Sequence, residues 1–483
     1  MDDFANRLAA QREKMALSES VLHARIDASP YGPRTREALH HDVIYESSGT
    51  PRFGSFECPP FIVRGTGGLV YDADGREYLD FLASFSVVNV GHCHPKVVAA
   101  ITEQAATLLH YFEYATPPRA RLAERLAKLA PGDGPKKVAF AVTGSDAIEL
   151  AIKLARWYTG APGLVTCYGN YHGISGGTIG LTGKAAQLSY YYPVVPISGP
   201  VLRIPFAYCY RCFFGKVYPS CDMQCVQYLK LHLESKESPY RDPGKNLSNV
   251  AAVVMEPMQS SAGYVIPPDE FLRGINGLCE ACGILFIADE IQAGLGRTGR
   301  MWAVEHSGVV PDILVTAKAI GGGIPLAAVV AGKELMESWG PGAHTSTFAG
   351  TAVACAAANA VLDVYEEERI LENVCARGAQ LQAGLADLQR RHPLVGDVQA
   401  KGLYTAIEFV RDRATKEPAS KETLFMHTEC VKEGMLCQRS GYYSNRFTLL
   451  PTLVVTAEQI DRALAIFDTV MTRAEQRFGI VRA

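Results

Sequence analysis

Lys318 ends the apolar run Ile313-Leu-Val-Thr-Ala and is followed by the glycine turn Gly321-Gly-Gly323. An ammonium drawn out of water loses hydration energy. A lysine at the end of an apolar strand therefore has a lowered pKa and can act as a Schiff-base nucleophile; a solvated strand-end charge is the alternative. Three other segments offer complementary chemistry. Asp289-Glu-Ile-Gln292 follows Ile284–Ala288, and an acid at the end of a buried strand must meet a cation, with Arg297 or Arg300 as the plain ion-pair partners. Thr143-Gly144-Ser145-Asp146 follows Val138–Val142 and opens an amphipathic stretch. Small residues at a helix N-terminus cradle an anion or phosphate, and a simple Ser N-cap is the alternative. Tyr168-Gly-Asn-Tyr171-His172-Gly173 follows Leu164–Cys167 and brings an aromatic ring and an imidazole beside glycines, or else a packed turn. His92-Cys-His94 has a metal-like spacing but no partner cluster, so it reads as structural.

The elements that must position these residues are legible in outline. Between about 95 and 335, near-continuous apolar runs alternate with helical patterns: 138–142, 164–167, 250–255, 284–288, 313–316 and 327–331. Helices over 146–158 and 268–282 separate several of them. Strands buried on both faces read this way, and the alternation predicts a large α/β domain around a mostly parallel sheet. In such sheets ligands sit outside the carboxyl ends of the strands, which is where the four segments fall. Alternating residues on both sides of Asp74-Gly75 predict a hairpin. A long Ala-rich helix over 352–367 leads to a smaller α+β region with strands at 403–410 and 446–455. The expected domains are an N-terminal arm (1–45), the first part of a small domain (46–94), a large domain (95–345) and the rest of the small domain (346–483).

Composition narrows the function classes. The chain has 483 residues and a formal net charge of −3, which argues against a nucleic-acid-binding surface. No apolar run approaches the roughly 18 residues of a membrane span. The first residues are acidic, with no apolar core of a signal peptide. Thirteen cysteines is an odd count in a long chain and fits a reducing compartment, so a cytoplasmic enzyme is expected.

A phosphate cradle, a stacking ring, a carboxylate for a pyridinium nitrogen and a Schiff-base lysine are together the parts that pyridoxal 5′-phosphate needs as an electron sink. With Gly91-His-Cys-His94-Pro95, Thr143–Arg156, Tyr171-His-Gly173, Glu256-Pro257, Asp289–Gly299, Lys318–Gly323 and Ser346-Thr347-Phe348, the chain resembles the class III aminotransferases of fold type I from about residue 60 to 475. The resemblance implies an aminotransferase passing an amino group between an amino-acid or amine donor and a keto or aldehyde acceptor. Lys318 would hold the cofactor through a Schiff base and shuttle the proton. Asp289 would keep the pyridine nitrogen protonated, and Gln292 would bond the phenolic oxygen. Tyr171 and Ile291 would cover the two ring faces, and Gly144 and Ser145 would hold the phosphate. His172 and Glu256 would support. Thr347 would reach the phosphate of a partner subunit, implying a homodimer or larger assembly with shared sites and no membrane or nucleic-acid partner.

The chain departs from that pattern on the substrate side. Where many members carry a carboxylate-gripping Arg, the alignment places Thr448, with Arg446 two residues earlier on the same strand face. Arg446 either takes over that grip or is ion-paired elsewhere. Ser261 stands where a gating glutamate is common, and Phe85 is a further substrate-side position. These changes keep open an amino-acid racemase or epimerase, a decarboxylating transaminase or a phospho-lyase on the same cofactor. A non-enzymatic regulator lacks any DNA-binding appendage. Finally, the stretch 207–226 reads as an insertion carrying Cys209, Cys212, Cys221 and Cys225. Cys-x2-Cys and Cys-x3-Cys could form a four-thiolate metal site, though the spacing between the pairs is short; a packed loop with free thiols is the alternative.

Overall fold

The computed structural model describes residues 19–46, 58–112, 114–183, 200–242 and 247–480, so the first eighteen residues of the expected arm fall outside it. Its centre is a seven-stranded sheet. In spatial order the strands are Lys136–Ala141, Ala327–Gly332, Ile313–Thr316, Leu285–Asp289, Val250–Met255, Gly163–Cys167 and Val201–Ile204. Only Ala327–Gly332 runs against its neighbours; every other pairing in the sheet is parallel.

Both faces of the sheet are covered, which is why these strands read as unbroken apolar runs rather than alternating ones. Phe286 and Ala288 point into one core with Val253 and Met255, while Ile287 joins Ala252 and Val254 in the other. Helix Gly144–Thr159 covers the second face with Ala147, Ile148 and Ala151, and helix Asp269–Cys282 covers the first with Phe271 and Ile275. The expected α/β class with a mostly parallel sheet is borne out.

The predicted hairpin is present. Leu69–Asp72 and Glu77–Asp80 pair antiparallel, and the turn closes on Gly75 at φ +86° with Asp72 accepting from the amides of Asp74 and Arg76. Met435–Leu436, more than 350 residues later, adds to this sheet in parallel beside Leu79 and Asp80. A further sheet contains Val395–Lys401, Tyr404–Asp412, Arg446–Leu449 and Gln438–Ser440. The strand expected over 446–455 stops at Leu449. Pro451 has no N–H to give a ladder, and the chain turns instead toward the hairpin sheet, with the amides of Leu450 and Leu453 bonding the carbonyls of Phe81 and Asn89.

Ile287 is fully buried between these layers. Ile287→Ala is expected to destabilise the protein by about 3 kcal/mol through the cavity it leaves. Calorimetric or denaturant unfolding of the variant against the parent checks this.

Candidate functional site

The parallel strands end at one edge of the sheet, and five of them deliver a chemically useful segment there. Val142, Thr143, Gly144 and Ser145 follow Lys136–Ala141. Tyr171, His172 and Gly173 follow Gly163–Cys167, and Glu256 follows Val250–Met255. Asp289 closes Leu285–Asp289, with Ile291 and Gln292 behind it. Ala317 and Lys318 follow Ile313–Thr316. All of these line one cavity of about 360 Å³. The reversed strand Ala327–Gly332 enters from the same edge, so Ile324, Pro325 and Leu326 close another wall.

Local structure explains each position. Thr143 caps the helix Gly144–Thr159 through a reciprocal box with Asp146. The cap uses the Asp146 amide and leaves those of Gly144 and Ser145 at the helix mouth, where the helix dipole favours an anion. Lys318 has φ +50°, a left-handed conformation that a long side chain adopts only when its surroundings impose it. Gly144 and Gly173 keep the cavity open. A Cβ on Gly144 would come within 2.9 Å of Ile291 Cδ1. One on Gly173, whose φ is +110°, would come within 2.1 Å of Ser145 Oγ.

The electrostatics centre on three ionisable groups. Asp289 Oδ2 lies 2.7 Å from His172 Nδ1, and its Oδ1 accepts from the Ile291 amide at 3.1 Å. Glu256 accepts from the amides of Tyr171 at 2.8 Å and Ser260 at 2.9 Å. Burial, and then the neighbouring Asp289, push Glu256 up to about 7 against the pull of His172 and those two donors. Burial lowers the Lys318 ammonium, while Asp289 and Glu256 partly hold it up. Arg297 and Arg300 are not the partners of Asp289. Arg297 bonds the Pro451 carbonyl and Asn89, and Arg300 the Glu305 carbonyl.

The substrate-side expectations fare differently. Arg446 is buried with its guanidinium 3.7 Å from Glu408 and over the Tyr208 ring, and it does not line the cavity. Strand Arg446–Leu449 sets Arg446 directly opposite Glu408, which favours the ion-paired reading over a grip on substrate. Thr448 donates to Gln438, and the Ser261 carbonyl accepts from Ser440; neither side chain lines the cavity. Ser260, one residue earlier, does line it and went unread, because nothing in its spacing separates it from Ser261. Phe85 touches the site through its carbonyl, which accepts from Gln292 at 3.2 Å. Thr347 is exposed and away from this chain's cavity. His92 and His94 are held by Asp80 and Glu368, as structural histidines.

Cys209, Cys212, Cys221 and Cys225 line one small cavity of their own. Among the described residues, however, no group of three or more His, Cys, Asp or Glu side chains is placed to hold a metal ion. The four sit in a packed loop as free thiols, with burial pushing Cys209 up to about 11 and Cys225 up to about 12.

Comparison with known proteins agrees with this geometry. Residues 54–471 match the family model described as aminotransferase class-III. The chain is 37% identical to 5-aminovalerate aminotransferase DavT of Pseudomonas aeruginosa, covering 84% of this chain and 92% of that protein. It is 38% identical to the leucine/methionine racemase of Thermococcus litoralis, over 86% and 92% of the two chains. Among solved structures, taurine:2-oxoglutarate aminotransferase from Bifidobacterium kashiwanohense, in complex with PLP and glutamate, superposes with a TM-score of 0.81. The two are 27% identical, with 92% of this chain and 99% of that one covered.

Two expectations follow from the geometry. Arg211 and Tyr208 still hold Glu408 when Arg446 is lost, so Arg446→Met is expected to cost only about 1 kcal/mol of stability, with the KM for amino donors little changed. Unfolding and steady-state kinetics on one preparation check both. Glu256 holds its proton more tightly folded than unfolded. The resulting stabilisation is complete below its ordinary value near 4.5 and is lost as pH rises through about 7. Cofactor-free protein should therefore lose stability across that window, and Glu256→Gln should flatten the slope in a pH series of thermal unfolding.

Proposed function

The chain belongs to the class-III aminotransferases and is a pyridoxal-phosphate-dependent aminotransferase, and from that premise we propose that Lys318 forms the covalent link to the cofactor. The observation carrying this reading is that Lys318 shares a desolvated cavity with Asp289 and Glu256, and that its pKa is lowered there. The cavity fits the group: an anion-favouring helix mouth at one end, a buried carboxylate at another, and glycines where a Cβ would fill the space between.

In this reading the Gly144 and Ser145 amides take the phosphate. Asp289 pairs with the ring nitrogen and keeps its proton in place, oriented by His172. Tyr171 and Ile291 bound the two ring faces, and Gln292, tied to the Phe85 carbonyl, offers its second amide hydrogen to the phenolic oxygen. Glu256 pins the Tyr171 segment. Bound there, pyridoxal phosphate supplies an electron sink for charge left on the substrate carbon. A lowered pKa keeps part of the Lys318 population neutral, so that Nζ can take a proton from that carbon and return it elsewhere. The cavity excludes bulk water from that transfer.

The site is completed by a second copy of the chain. Thr347 and Phe348 are exposed, and so are the apolar side chains of Leu108, Leu109, Tyr111 and Tyr114, which a second copy would cover. Thr347 would serve the partner's phosphate. All thirteen cysteines are unpaired, which fits the cytoplasm as the compartment.

Lys318→Ala should abolish the visible absorbance of lysine-bound cofactor and lower turnover by about 10³-fold; unchanged turnover would sink the reading. Because a racemase stands among the relatives, amino acids should be supplied with and without pyruvate or 2-oxoglutarate. Product only with the acceptor supports transamination, whereas racemisation without one favours the second reading. Thr347→Ala should weaken cofactor binding while sedimentation still reports a dimer.

A further inference from the structure

Behind His172 and the cavity it lines, a run of buried polar side chains continues through Asn170 to Gln259. Gln259, Asn170 and His172 are each at most 2% exposed, and they connect in series to Asp289. Gln259 Nε2 lies 2.7 Å from the Tyr168 carbonyl and 2.7 Å from Asn170 Oδ1. Asn170 Nδ2 lies 3.1 Å from His172 Nε2, and His172 Nδ1 lies 2.7 Å from Asp289 Oδ2.

The direction of every hydrogen bond in this run follows from its far end. A main-chain carbonyl only accepts, so the Gln259 atom facing Tyr168 is the amide nitrogen. Its second hydrogen then goes to Asn170, whose facing atom must be oxygen. That orientation turns the Asn170 amide nitrogen toward His172, whose Nε2 must accept. A neutral imidazole carries one hydrogen, which is left on Nδ1 and donated to Asp289. Turning the Gln259 amide over would set its oxygen against the Tyr168 carbonyl, so the orientation stands although Oε1 is left buried without a partner among the described residues. An orphaned buried acceptor is costly, and it stays because both hydrogens of the amide are committed on the other side.

We propose that Gln259 and Asn170 are positioning residues that lock His172 in its Nδ1–H tautomer, and thereby keep Asp289 aimed at the ring nitrogen of the cofactor. The proposal rests on the assignment of Asp289 to that nitrogen. Tyr168, where the run begins, also receives the Tyr442 hydroxyl at 3.1 Å, so the assignment is anchored outside the cavity, in the segment that leads toward Cys209–Cys225.

Nitrogen-15 spectra of the histidine rings in the cofactor-free protein test the lock directly, with His172→Asn identifying the signal. The expected result is a neutral ring protonated on Nδ1. A ring protonated on Nε2 overturns the proposal without any variant of Asn170 having to fold. The nearly isosteric Asn170→Asp puts an acceptor against an acceptor, and the ring should become doubly protonated or reverse its tautomer. The same variant should bind pyridoxal phosphate about 10 to 100-fold more weakly and lose kcat by a similar factor with KM for the amino donor little changed. Gln259→Glu should reproduce this. An unaltered ring signal in Asn170→Asp would also overturn the proposal. Asp289→Asn separates the two claims: if it leaves cofactor affinity and turnover intact, the role given to Asp289 fails even where the tautomer is as expected.

Discussion

Two buried carboxylates and one ammonium share a cavity at the ends of the parallel strands. Asp289 and Glu256 end adjacent parallel strands, so backbone register alone brings like charges together. Such a pair is tolerated only with compensation, and it comes from Lys318, from His172 and from main-chain amides aimed at both carboxylates. This constraint dictates much of the architecture. The strands must finish at one level, the loops after them must turn back over the cavity, and a left-handed lysine must be held against its local preference.

The supports run outward from there into regions distant in sequence. Glu290, next to Asp289, is buried and accepts from the amides of Ala303 and Val304, fixing the turn that carries Ile291 and Gln292. Arg297, at the end of that turn, reaches the Pro451 carbonyl and Asn89. One short segment thereby ties the central sheet to the residues after the hairpin and to those after strand Arg446–Leu449. Motion of either region would be felt at the cofactor site, because these buried bonds have no water to replace them.

The buried charge on the other side of the molecule has a different character. Glu408 receives Tyr208 and Arg211 from the cysteine-rich stretch, with Arg446 behind it. The arrangement fastens that stretch to the C-terminal sheet and sets Arg446 beside the same carboxylate. Among the described residues no guanidinium lines the cavity.

The chain order of its motifs was enough to assign the class of fold and the cofactor, because each is a local pattern. An apolar run that ends in Lys318, Asp289 or Glu256 reports a buried strand with a charged carboxyl end, and Thr143-Gly-Ser-Asp146 carries its own capping box. Arg446 could not be read in the same way. Its i, i+2 relation to Thr448 says which face of the strand it shares, but only the antiparallel pairing with Tyr404–Asp412 decides that Glu408 lies opposite it. Ser260 and Ser261 are indistinguishable until the turn after Glu256 chooses one for the cavity. The four cysteines have metal-like spacing, yet only the path of the loop determines where their sulfurs point. Asn170 and Gln259 are almost ninety residues apart and mean nothing singly. Hydrogen-bond direction propagates through space from one carbonyl, so it exists only once the fold has brought the partners together.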